Sequence, residues 1–184
     1  MRLSEPRVHP QQADQWNAKA AECMKPFVEN NKADNIFKTL TNHPDLMKRW
    51  MVFANHILFK STLPAREREI LILRIGYLCK AGYEYNQHVA IARECGMSED
   101  EIAMSRTGPD TAGISELDKL LLSATDELHA DAFITDGTWK ALSEHFSTEQ
   151  MMDVVFTVGQ YNLVSMALNS LGVQLDAHLP TIEV

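Results

Sequence analysis

The sequence predicts an all-α protein, and three observations carry that prediction. Apolar residues recur at three- and four-residue spacing along most of the chain; glycine and proline are sparse and fall between such stretches; and no segment longer than a few residues alternates as a half-buried strand must. At 184 residues the chain can bury a sizeable core. It reads as one domain of two helical halves, 1–184, with 1–43 as a helical extension and 44–184 as the core.

The first helices span roughly Pro10 to Glu29 and Pro44 to Phe59. In the latter, Leu46, Trp50, Phe53 and Ile57 share one apolar face. Pro44 suits a first helical turn, where its missing N–H is not needed. A third helix opens at Pro64 and runs through ILILRIGYLCK, too apolar for the surface and therefore central. Gly82 interrupts it. A fourth helix begins near Tyr83 and stops at Gly96, in the place of a left-handed residue after a helix end. Ser98-Glu-Asp-Glu101 has capping-box spacing and opens a short helix, and Ser115-Glu-Leu-Asp118 opens a longer one to about Asp131. TGPDTAG between them is the clearest linker. Thr138 to Phe146 follows, then a long apolar helix from the cap Ser147-Thr-Glu-Gln150 to Gly172. That last helix carries Asn162, Ser165 and Asn169 on one stripe, which lines a pocket, knits a subunit interface or bonds to backbone; structural satisfaction is the favoured reading.

The formal net charge of -8, from 17 basic and 25 acidic residues, repels phosphate backbones and anionic lipid, so neither nucleic acid nor membrane is an expected partner. MRLSEPRVHPQQADQW lacks the apolar core of a signal peptide and no later run is long enough for a bilayer, which places the chain in the cytoplasm. Cys23, Cys79 and Cys95 are odd in number and form no C-x-x-C pair, as expected of free thiols in a reducing compartment.

The chemistry concentrates between Leu63 and Gly96. Glu84 and His88 are four apart on one helix, so their side chains can touch. A carboxylate beside an imidazole raises the His pKa and fixes its tautomer, preparing a proton donor or acceptor. Glu69 lies across the break at Gly82 and supplies a third corner if the two helices fold back on each other. The competing reading is a solvated Glu/His pair worth roughly 0.2–0.5 kcal/mol. Tyr83, Tyr85 and the run Val89 to Ala92 favour the functional reading, because they make the surroundings mostly apolar.

Arg74 is set inside the apolar run and needs a carboxylate. Glu67, two turns earlier, is the expected structural partner, with a grip on a substrate carboxylate as the alternative. Arg66 and Arg68 are weaker candidates for that grip. Glu84, His88 and Glu69 could also be metal ligands, but one imidazole with carboxylates is a poor zinc set, and no metal is expected. His43 and His56 read as surface or core histidines.

The segments L-P-x-R-E-R-E-x-x-I-L-R at Leu63 to Arg74 and Y-E-Y-x-x-H-x-x-x-A-R at Tyr83 to Arg93 resemble the carboxymuconolactone decarboxylase family, which includes proteins of the alkylhydroperoxidase D type. G-x-Y-N-x-V-S-M, from Gly159 to Met166, is a weaker echo. The resemblance implies an orthogonal helical bundle of the alkylhydroperoxidase D-like type, assembled as a trimer or hexamer. The peroxidase branch uses C-x-x-C-x-x-x-H with an upstream Glu. Here Glu69 and His88 match, but Ala81 and Glu84 stand in place of the two cysteines, which removes the attacking thiolate and its partner. The chain is therefore more similar to the decarboxylase branch, which acts without a cofactor on lactone acids from aromatic-ring breakdown.

These readings converge on a cofactor-independent lyase or isomerase acting on a small carboxylated lactone or enolisable acid. His88 would move the proton, Glu84 orient it and Glu69 complete the set, with Arg74, Tyr83 and Tyr85 binding the substrate. A non-catalytic oligomer binding a small ligand or partner is the alternative from another class, and a thiol peroxidase is a third.

Overall fold

The computed structural model describes residues 2–184. After a 3-10 turn at Ala13–Gln15, its helices are α1 (Ala18–Glu29), α2 (Asn35–Leu40), α3 (Pro44–Phe59), α4 (Ala65–Leu78), α5 (Gly82–Glu94), α6 (Glu99–Thr107), α7 (Glu116–Asp131), α8 (Asp136–Leu142) and α9 (Thr148–Leu171). No strand occurs among the described residues, and no helix is long and apolar enough to cross a membrane.

The caps expected at the helix starts are present. Ser98 accepts from the Glu101 N–H while the Glu101 carboxylate accepts from the Ser98 N–H, and Ser147 and Gln150 repeat the exchange at the start of α9. Ser115 Oγ accepts from the Asp118 N–H at 3.1 Å. Gly96 and Gly172 follow α5 and α9 with φ of 84° and 72°, the left-handed region that glycine enters without strain.

Three boundaries differ from the sequence reading. The helix expected from Pro10 is interrupted, because Asn17 adopts extended backbone and caps the Ala20 N–H at 2.9 Å, so α1 starts only at Ala18. The six-residue α2 is too short for periodicity to reveal. The break before α5 falls at Cys79–Ala81, with Lys80 at φ 51°, and Gly82 is the first residue of α5 rather than the interruption.

α4 is the central element, packed against α5, α6, α7 and α9, and every residue from Glu69 to Gly76 is buried. Its neighbours leave no solvated face for the run Ile70 to Ile75. The apolar face read on α3 is only partly covered: Ile57 is buried and Trp50 half-buried, whereas Leu46 and Phe53 are exposed. The polar stripe of α9 meets the end of α4. Asn169 Nδ2 donates to the Cys79 carbonyl at 2.9 Å, Asn162 Oδ1 accepts from the Cys79 thiol at 3.1 Å, and the Ser165 hydroxyl is buried without a partner.

Candidate active site

The tight turn at Cys79–Ala81 folds α5 back along α4. Glu69 stands nine residues before the end of α4 and His88 six after the start of α5, an offset of about 4.5 Å along the hairpin at 1.5 Å per residue, which the two side chains span. His88 Nδ1 donates to Glu69 Oε2 at 2.6 Å. On the other side of the ring, His88 Nε2 lies 3.0 Å from Glu84 Oε1, the i, i+4 contact that the spacing implied. Both carboxylates and the imidazole are buried. Glu69 is also paired with Arg68, whose Nε and Nη2 both donate to Glu69 Oε1, at 3.2 and 3.1 Å.

Burial disfavours the charged imidazolium, but the negative charge and hydrogen bond of Glu69, followed by those of Glu84, outweigh it and raise the His88 pKa to about 9. The two carboxylates thus favour the imidazolium form of His88 at neutral pH. Two carboxylates, one imidazolium and the Arg68 guanidinium leave the cluster without net charge, the condition under which ionised groups persist in a dry interior.

The cluster forms one wall of a cavity of about 270 Å³. Arg68, Glu84 and His88 line it together with Gln87, Gln160 and Tyr161. Apolar side chains make most of the rest, chiefly Phe27, Phe37 and Trp50, Met51, Ala54, Leu58 and Phe59 of α3, with Lys32, Asp34, Asn55 and Glu94 also on its lining. Tyr161 stands edge-on to His88, with ring centroids 4.7 Å apart and planes at 83°. Burial, with the charges of Glu84 and Glu69, raises its pKa well above the ordinary value, so the phenol keeps its proton and can donate it in a hydrogen bond. Trp50 Nε1 and Gln87 Oε1 are buried without a protein partner, a donor and an acceptor left for a ligand or water to satisfy.

Of the residues expected to bind substrate, Tyr83 lines the cavity, its hydroxyl donating to Asp176 Oδ2 at 2.7 Å. Tyr85 does not. Its hydroxyl is 3.1 Å from Ser105 Oγ, in the core. Arg74 is not brought to the cavity either, and its carboxylate partner is Asp126, not Glu67. Nε and Nη2 donate to the Asp126 oxygens at 2.6 and 2.8 Å, while Nη1 donates to the carbonyls of Ser105 and Arg106 at the end of α6. Glu67 instead lies 3.6 Å from Arg66, which is itself held by Asp118 and Glu101. The guanidinium that reaches the cavity is Arg68. Tyr161 was missed as well; its one sequence signal was the short echo from Gly159 to Met166.

None of the three cysteines lines the cavity. Burial raises the pKa of both Cys79 and Cys95, which keeps them as thiols. Among the described residues no group of three or more His, Cys, Asp or Glu side chains is arranged to hold a metal ion. Glu69 and Glu84 sit on opposite sides of the imidazole, so their oxygens do not converge on a common point with a ring nitrogen.

The sequence matches the profile of the carboxymuconolactone decarboxylase family over residues 44–125, which hold Arg68, Glu69, Glu84 and His88. No curated protein matches the chain in sequence. Among solved structures, a peroxidase-related protein of Ralstonia eutropha JMP134, described as an alkylhydroperoxidase AhpD core, superposes with a TM-score of 0.81 at 18% identity, covering 94% of this chain and 93% of that one. A peroxidase-related protein from Silicibacter sp. TM1040 gives 0.81 at 16% identity, covering 95% and 94%. A variant of the debrominase Bmp8 in complex with 2,3,4-tribromopyrrole gives 0.76 at 14% identity, covering 95% and 94%. The fold is that of the alkylhydroperoxidase D-like proteins. The Glu69–His88–Glu84 cluster lies within the matched residues, whereas Tyr161 and Gln160 line the cavity from α9, outside them.

Proposed function

We propose that this chain is a cofactor-independent lyase or isomerase that moves a proton at carbon in a small carboxylic acid with an apolar body, such as an unsaturated lactone acid. The reading rests on one observation: His88 lies between the carboxylates of Glu69 and Glu84, each within hydrogen-bond distance of a ring nitrogen, in a cavity that cysteine does not reach.

The geometry supports a division of labour different from the one the spacing suggested. Both ring nitrogens of His88 face carboxylates, so His88 stores and relays the proton, and Glu84 is the group that exchanges it with substrate. In an isomerisation, Glu84 takes a proton from the carbon beside a carbonyl, the electron pair moves to the carbonyl oxygen, and the Tyr161 hydroxyl hydrogen-bonds to that oxygen. The proton then returns at a second carbon. In a decarboxylation, the bond to a carboxylate breaks, carbon dioxide leaves, and the electron pair rests on the same oxygen. Glu84, protonated through His88, then delivers a proton to the carbon, and water replaces it. A substrate that loses carbon dioxide therefore carries a second carboxylate, and Arg68 holds that one, since a cation on the departing carboxylate would stabilise the ground state and oppose its loss.

At 14 to 18% identity the structural neighbours share a fold with this chain, and their peroxidase-related and debrominase descriptions carry no weight for its reaction. The test is turnover of a panel of unsaturated lactone acids and enolisable keto acids in heavy water, without added cofactor, followed by ultraviolet absorbance and proton NMR. The proposal expects loss of the chromophore or exchange at carbon, unaffected by N-ethylmaleimide. Turnover abolished by thiol blocking would refute it, and so would panel acids that raise the melting temperature yet undergo no exchange.

A further inference from the structure

We infer that the exposed face of α9 is a twofold seam between two copies of this chain. The inference does not rest on the proposed reaction. α9 turns Met152, Phe156, Gly159, Leu163, Met166 and Ser170 to solvent, at alternating spacings of four and three residues. None of them is charged, although the helix is about 36 Å long. Exposed helix faces of single-chain proteins are polar, and a continuous apolar stripe marks a contact surface. Phe53 and Leu46 of α3 widen this one, the Phe53 ring meeting Phe156 edge-on with centroids 6.1 Å apart.

Gly159 says what covers the stripe. It sits in the helix interior, where glycine is the poorest helix former after proline. A Cβ built there would meet no atom of this chain within 4 Å. The chain's own packing therefore does not call for glycine; close approach by another backbone does. Counted outward from Gly159, the large apolar residues fall at nearly equal distances: Phe156 and Leu163, then Met152 and Met166. A second α9 crossing antiparallel at Gly159 sets each Phe156 against the opposing Leu163 and each Met152 against the opposing Met166, a self-complementary pairing about a twofold axis. Leu163 and Leu46 also border an apolar slot of about 160 Å³ between α2, α3 and α9, a seat for an opposing side chain. These half-exposed side chains offer on the order of 600 Å² per copy, near the roughly 800 Å² that a stable pair buries on each partner.

The experiment is light scattering of the full chain at tens of micromolar, for the wild type, Gly159→Arg and Met166→Lys. The wild type should contain an even number of copies, and each variant should halve the mass while keeping the wild-type helical circular dichroism. Both substituted positions are exposed, so if one variant fails to fold the other still decides. Oxidised Gly159→Cys should give a covalent dimer that Val52→Cys, exposed off the seam, does not. A wild type of one or three copies, or folded variants of undiminished mass, would overturn the inference.

Discussion

Glu69 and His88 are joined by a 2.6 Å hydrogen bond across the α4–α5 hairpin, with neither side chain open to bulk solvent. The bond makes the charge of one group depend on the other. The site's chemistry and part of the fold's stability therefore share a pH dependence.

The folded-state pKa of His88 lies above its ordinary value of 6.5, at about 9. The stabilisation it brings is complete below about 6.5 and is lost as pH rises through about 9. Urea denaturation of the wild type should show stability falling across this window by on the order of 3 kcal/mol. Glu69→Gln should flatten that slope.

His88→Ala looks from the sequence like a clean test of catalysis, with turnover abolished and the fold kept. The structure makes it a poor one. Removing the imidazolium leaves Glu69 and Glu84 buried without it, and breaking such a pair costs roughly 3–5 kcal/mol. Glu84→Gln keeps the shape and is the cleaner variant. It should lower kcat by about 100-fold or more while costing less stability than His88→Ala, as read by steady-state kinetics and calorimetry.

Tyr161→Phe removes one hydroxyl from the cavity and leaves the ring beside His88 in place. We expect kcat to fall about 10- to 100-fold with KM little changed, the signature of a donor whose bond strengthens as charge develops on the substrate oxygen. An equal loss in KM with kcat intact would assign Tyr161 to ground-state binding.

The two arginines should separate by readout. Arg68→Gln should raise KM for a carboxylate substrate about 10- to 100-fold, because it lines the cavity. Arg74→Met should leave KM alone and cost about 2 kcal/mol of stability, because Arg74 ties α4 to Asp126 of α7 and to the last carbonyls of α6. Gly108→Ala should mimic Arg74→Met: its Cβ would fall 2.6 Å from Arg74 Nη2, at a φ of 92°. Chemical denaturation beside steady-state kinetics checks all three.

What could be read in the sequence is what local spacing encodes. The caps at Ser98, Ser115 and Ser147, the buried run of α4 and the Glu84/His88 pair depend on residues three or four apart, and each is found in place. Glu69 was reachable because one short turn separates it from His88. What escaped depends on contacts far along the chain. Asp126 reaches Arg74 across 52 residues, and Tyr161 comes to His88 only because α9 packs on α4 and α5. Glu67 was a reasonable partner for Arg74 by helical periodicity, but a guanidinium inside the bundle is met by the neighbouring helix, since its own helix face is already filled with Ile and Leu. The pattern around Arg68 reads as exposed, yet its side chain is 11% exposed and paired with the buried Glu69.

The relay stands or falls on the charge of one imidazole. NMR titration of the His88 ring, followed through its carbon-bound protons, measures it directly. The account predicts a pKa near 9 in the wild type, lowered in both Glu69→Gln and Glu84→Gln. A wild-type titration at or below 6.5, unmoved by either substitution, would contradict it.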